Sequence, residues 1–258
     1  MTDLVALKAA NAKRFANAKL TRNFTPIARH LVEAKAKARY QVVSAKTGVP
    51  WAFIAVTHER ECSQDWAGSL AQGDPWNRVS VHVPAGRGPF QSWEDAAIDA
   101  LVNCGPYAAR NKDWSIGGTL AKLEEYNGLG YAARGAPSPY IWSGTDQYKS
   151  GKYVRDHVYD PNVVDTQPGC AGLLMAMMAL DPSITFTGTT IKPAVEPVKK
   201  PETSTASKAG AGAGAVVVAG TVAAGVQQGW SWLEIGLAGF VVAGLATAIV
   251  LLIRKFRT

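Results

Sequence analysis

Charge is scarce in this sequence: 18% of its 258 residues are Asp, Glu, Lys or Arg, against about 25% in an average soluble domain. The shortfall is local. From Ala209 to Thr258, 50 residues carry only Glu234, Arg254, Lys255 and Arg257, which argues against a wholly soluble chain. Cysteine is scarce as well. Cys62, Cys104 and Cys170 are an odd number at wide spacings, so they do not read as a disulfide framework or as paired zinc knuckles. The stretch from Met1 to Phe15 lacks the apolar core of a signal peptide, so no cleavable export signal is expected. Aromatic residues are plentiful: 8 Trp, 8 Tyr and 7 Phe exclude a disordered chain. With 47% apolar residues, there is material for one domain of about 150–200 residues and some chain to spare.

The net charge of +7 is unevenly spread. Residues 1–46 hold ten Lys/Arg against Asp3 and Glu33, whereas residues 47–185 hold ten basic and fifteen acidic side chains. A nucleic-acid domain gathers positive charge around its aromatic residues. Here most of the aromatics lie in the acidic middle, so nucleic acid is not an expected partner. An anionic polymer or a membrane surface stays open to the N-terminal segment.

The element pattern predicts a mainly α fold. Residues 1–48 read as basic N-terminal helices packed on the domain. Pro26 suits the first turn of the second of these, and Ile27, Leu31, Val32, Ala38, Val42 and Val43 form its apolar stripe up to Gly48. Residues 49–185 form the main domain, where Pro50 opens a strongly apolar helix from Trp51. Glycines and prolines make residues 72–91 an extended loop, with Val79, Val81 and Val83 alternating as one short strand. Ser92 and Asp95 form a capping box. Helices are expected over Ile116–Tyr126 and Gly169–Leu180, the second with a core of Met175, Met177 and Met178, and the loops between them are aromatic.

Residues 186–208 are too rich in Pro, Lys, Glu and Thr to pack and read as a linker. Ile235 to Ile253 are 19 uncharged residues, close to the roughly 20 that span a bilayer. With Trp230 and Trp232 at the interface, residues 230–253 are the expected transmembrane helix, followed by the basic tail 254–258. Residues 209–226 are either a first transmembrane helix or more linker. The lipid bilayer is thus an expected partner, crossed once or twice.

The densest polar cluster, Thr57-His58-Glu59-Arg60-Glu61-Cys62, ends the apolar run from Trp51. A carboxyl group at the polar end of a buried helix acquires a raised pKa, as glycosidic cleavage requires of its general acid. Glu59 and Glu61 both qualify, and they point to different faces. A rival reading makes His58, Glu59 and Cys62 a variant zinc-peptidase helix, with His82 as a third ligand.

The segment Ile54 to Ser63 resembles the catalytic helix of goose-type lysozymes and lytic transglycosylases, in which an apolar run leads into a Glu followed by a small polar residue. Glu125-Tyr126-Asn127-Gly128 is similar to the segment that lines their saccharide groove. The stretches at residues 72–90 and 126–154 look closer still to bacterial and phage lysozyme-like proteins. The resemblance covers about residues 50–160. It implies a lysozyme-like domain with a short β/loop insertion, Glu61 as the catalytic acid, Tyr126 and Asn127 as substrate-binding residues, and peptidoglycan glycan strands as the substrate. It implies no metal and no organic cofactor.

The Gly-Leu-Met-Gln motif of the transglycosylases is missing, and Asp74, in a Gly/Pro loop, is taken as the second catalytic carboxylate, with Asp65 in reserve. Tyr140 and Trp142 offer faces for stacking on sugar rings. Asn127, Ser143, Thr145 and Gln147 offer hydrogen bonds to hydroxyl and N-acetyl groups. The expectation is a muramidase or lytic transglycosylase cutting the β-1,4 bond between N-acetylmuramic acid and N-acetylglucosamine. It would be held at a bacterial inner membrane, facing periplasmic peptidoglycan, as in phage or prophage lysis or wall remodelling. A non-catalytic wall-binding module built on the same aromatic loop is the alternative.

Overall fold

The computed structural model describes residues 2–155 and 157–187. The residues expected to form the linker from position 188, both apolar stretches and the basic tail lie outside the described residues. Among the described residues no helix is long and apolar enough to cross a membrane. In chain order they form α1 (Leu4–Asn17), α2 (Thr25–Val32), α3 (Ala34–Thr47), α4 (Trp51–Cys62), α5 (Trp93–Asn103) and α6 (Ile116–Tyr126). The short helices α7 (Gly130–Ala133) and α8 (Pro139–Trp142), strands β1 (Lys152–Arg155) and β2 (Val158–Asp160), and α9 (Cys170–Leu180) follow. The described part is mainly α, as expected.

Helix α4 is the hub. Its residues Ala52 to His58 are all buried, and α2, α3, α6 and α9 pack around it. Seven consecutive buried residues cover every face of a helix with 3.6 residues per turn, so a one-sided amphipathic pattern is absent. The helix stops at Ser63, whose φ of 52° is left-handed and whose N–H reaches the Glu59 carbonyl.

Around the hub, local chemistry sets most boundaries. The Asp3 carboxylate caps α1 by accepting from the N–H groups of Val5 and Ala6. Ser92 Oγ accepts from Asp95 N at 3.1 Å to start α5. Gly48, at φ 72°, ends α3. Two glycines permit close helix contacts: a Cβ on Gly117 would stand 2.4 Å from the Lys8 carbonyl oxygen, and one on Gly172 would stand 2.3 Å from the Phe24 ring. The first contact locks α1 onto α6 and the second seats Phe24, just before α2, on α9.

Two expectations are corrected. The N-terminal region holds three helices, because the chain breaks at Glu33 (ψ 138°) between α2 and α3. After that break the buried face of α3 is Ala36, Tyr40 and Val43, while Val42 is 48% exposed. Nor do Val79, Val81 and Val83 form a strand. They sit in an irregular loop and are exposed by 55%, 77% and 89%, because no neighbouring strand is there to pair with them. The hairpin lies elsewhere: β1 and β2 are antiparallel, with Tyr153 opposite Tyr159 and a bulge between Tyr153 and Arg155.

Between α1 and α6 lies a buried carboxyl group, Glu124, 1% exposed. Asn11 Nδ2 donates to its Oε2 at 3.3 Å. Burial raises its pKa to about 7, against the lowering pull of Asn11 and Arg14. Its Oε1 and Asn11 Oδ1 have no hydrogen-bond partner among the described residues.

Candidate active site

The last turn of α4 sends side chains to two different environments. His58 has no exposed surface, and its two ring nitrogens meet Tyr40 Oη and the Asp65 carbonyl, each at 3.0 Å. A carbonyl oxygen only accepts, so Nε2 carries the proton, and Nδ1 accepts from the Tyr40 hydroxyl. Tyr40 in turn accepts from Gln64 Nε2 at 3.1 Å. Trp66 and Trp93 close the ring cluster, their centroids 4.6 and 4.7 Å from that of His58. Burial lowers the His58 pKa to about 4, so the imidazole is neutral near pH 7.

That arrangement gives the zinc reading no support. Both nitrogens of His58 are engaged, so no ring lone pair is free to join Cys62 in binding a metal. The Cys62 thiol faces backbone carbonyls, His58 O first at 3.5 Å, and burial pushes its pKa up, aided by the charges of Glu61 and Asp65. Among the described residues no group of three His, Cys, Asp or Glu side chains is placed to hold a metal.

Glu61 faces the other way. The hydroxyl of Tyr140, itself 4% exposed, donates to Glu61 Oε1 at 2.7 Å. Burial raises the Glu61 pKa, opposed by that hydrogen bond and by the charge of Arg60. Tyr126 lies close enough to feel the Glu61 charge, and its hydroxyl is buried with no hydrogen-bond partner among the described residues. The Glu59 carboxyl group makes no hydrogen bond or ion pair among the described residues. Burial lifts its pKa to about 7, against Arg60 and Arg22.

Asp74 behaves in the opposite way. Its Oδ2 accepts from Val81 N at 2.8 Å and His82 N at 2.9 Å, and its Oδ1 meets His82 Nδ1 at 2.6 Å. Burial alone would raise its pKa, but these bonds outweigh it and hold the carboxyl below its ordinary value. The neighbouring Gly73 lies against the end of α4, where a Cβ would stand 3.6 Å from the Glu61 carbonyl oxygen. Asp65 is spent on its own turn, accepting from Ala67 N at 2.9 Å.

Beside Tyr140 opens a cleft of about 370 Å³, with Arg60, Asn127, Tyr140, Lys152, Arg155 and Asp165 on its walls. Of the expected sugar-binding residues, Asn127 and Tyr140 line it. Trp142 does not: it is 0% exposed and sits in the core, so it presents no face to a sugar. Ser143 and Thr145 are buried and bond to the carbonyls of Asp165 and Trp142. Gln147 lies outside the cleft and donates to Asp146. The chain matches no family model, no curated protein and no solved structure, so the site is read from its own geometry.

Several residues of this region carried no role in the sequence reading. Arg60 is 4% exposed in its side chain, lies 4.5 Å over the Tyr140 ring, and donates to the Pro168 carbonyl. The hairpin that supplies Lys152 and Arg155 was missed, though Tyr153-Val154-Arg155 and Val158-Tyr159 flanking a short polar turn are a strand–turn–strand signal. The Tyr131 ring packs against those of Tyr153 and Tyr159 at 5.1 and 6.2 Å, fixing the hairpin on α7.

Proposed function

We propose that residues 49–185 act as a peptidoglycan-cleaving glycosidase on the β-1,4 bond between N-acetylmuramic acid and N-acetylglucosamine, with Glu61 as the proton donor. One observation carries this reading. Glu61 ends a buried helix, burial favours its acid form, and one hydroxyl donor holds Oε1 in place, which leaves Oε2 to carry the proton. A carboxyl group whose acid form is favoured in this way can deliver its proton to a departing oxygen. As the glycosidic bond breaks, the proton passes from Glu61 to O4 of the N-acetylglucosamine unit, and positive charge grows at muramoyl C1.

Asp74 already spends both oxygens on its loop. This favours completion by internal attack: the muramoyl 6-hydroxyl bonds to C1, its proton returns to Glu61, and a 1,6-anhydro end results. Hydrolysis with Asp74 orienting the water would give reducing ends instead. The uncharged run 235–253 would tether the domain to a bacterial inner membrane, a placement that suits phage-type lysis or wall remodelling.

The test is clearing of purified peptidoglycan by the full chain, with mass spectrometry of the products. Clearing is expected, to be lost in Glu61→Gln and kept in Glu59→Gln, with anhydro ends in the digest. Wall binding without clearing by the wild type would make this a binding module.

A further inference from the structure

The cleft beside Tyr140 is short of negative charge. Arg60 and Lys152 share one carboxylate, Asp165, at 3.5 and 3.1 Å. Asp165 and the Arg60 side chain are each 4% exposed, and Arg60 Nε has no acceptor among the described residues. Arg155, on the same hairpin as Lys152, is exposed and has no ion-pair partner among the described residues. The other carboxyl groups that act on Arg60, Glu59 and Glu61, are pushed towards their neutral forms by burial. Arg60 is the shielded cation here and needs a partner, Lys152 is half-buried and Arg155 exposed, and one carboxylate among the three leaves positive charge over. The volume of about 370 Å³ suits a small ligand segment, and Asn127 and Gln167 add polar contacts at the rim.

We propose that this cleft binds a carboxylate of the glycan strand, borne by a muramoyl unit, with Lys152 and Arg155 as its recognition pair. The proposal rests on the peptidoglycan reading above and makes the site selective for charged strands over neutral ones. Two sources offer the same chemistry: the lactyl carboxylate of a stem-free muramoyl unit, and the carboxylates of an attached peptide stem. In either case an Arg guanidinium can meet the carboxylate through two parallel N–H bonds.

The experiment is calorimetric binding of three soluble tetrasaccharides to the full chain carrying Glu61→Gln, so that turnover does not intervene. One ligand bears peptide stems, one has bare lactyl carboxylates, and the third is neutral chitotetraose. Charged ligands are expected to bind about tenfold more tightly than the neutral one, the worth of one charge-assisted hydrogen bond. Adding Arg155→Gln should erase most of that gap, and Arg155→Lys should preserve part of it. Preference for the stem-bearing ligand alone identifies the stem, preference for the bare ligand alone identifies the lactyl group, and equal preference for both shows that the cleft accepts either carboxylate. Equal binding of all three, no binding of any, or a gap untouched by Arg155→Gln overturns the proposal. Charge-dependent binding by a wild type that clears no wall would sink the glycosidase reading and leave the cleft standing.

Discussion

The end of α4 and the loop from Asp74 to His82 each carry a shielded carboxyl group, and the two are driven in opposite directions. Asp74 receives two backbone N–H groups and an imidazole nitrogen, which together overcome its burial. Glu61 receives one phenolic hydroxyl, which does not overcome its burial. Glu124, with one amide donor, goes the way of Glu61. Burial alone therefore does not set the protonation state. The number of donors aimed at the carboxyl group decides whether the acid or its anion is the resident form.

The comparison breaks most visibly at Glu61. Glu61→Gln keeps the shape and removes the proton, so clearing should fall by at least about 100-fold while circular dichroism stays that of the wild type. A smaller loss would mean that Glu61 is only another buried acid, like Glu124. At the other pole, Asp74→Asn gives up the charge that its loop donors serve. A loss of about 1–2 kcal/mol in urea unfolding is expected at pH 7, with clearing nearly unchanged. A depressed carboxyl stabilises the fold above its unfolded pKa, and that contribution disappears as pH falls through the folded value. The difference between Asp74→Asn and wild type should therefore vanish in acid, and a matching collapse of clearing would restore Asp74 as a catalytic base.

Glu124→Gln sharpens the rule with a group far in sequence from Glu61. Its pKa is raised to about 7 from a model-peptide value of 4.5, so the unfolded chain loses this proton first. Wild-type stability should then fall as pH rises from about 4.5 to 7 and level off above, and the amide should abolish that slope. The variant should be more stable than wild type by about 1 kcal/mol at pH 8. The smallest expected effect is at Tyr140→Phe. Removing the one donor to Glu61 favours the acid further, so the alkaline limb of the clearing–pH profile should move up. A downward move would show that Tyr140 stabilises the acid form.

Much of the helical frame was legible because local cues fix it. Ser92 caps α5, Gly48 ends α3, and α6 spans Ile116–Tyr126 as its pattern indicates. The break at Glu33 has no glycine or proline to announce it and follows from how α2 and α3 pack. Val79, Val81 and Val83 alternate like a strand, yet the N–H of Val81 and that of His82 are taken by the Asp74 carboxylate rather than by a neighbouring strand. At the site, the carboxyl group of Glu61 was visible in its helix, but its partner Tyr140 lies 79 residues away. Tyr140 and Trp142 look alike as sugar platforms in sequence. Tertiary packing puts one beside the cleft and the other wholly in the core.

The buried stretch from Ala52 to His58 also governs precision. A helix clasped on all faces can neither slide nor turn about its axis without opening the core, so the bearing of Glu61 is fixed in the way a keyed shaft fixes the angle of its pointer. One residue more or fewer within α4 would swing the pointer by about 100° and exchange the acid for a neighbour. Mutational drift at this site is therefore confined to what the pointer carries and what surrounds its tip, because the shaft itself admits no change of length.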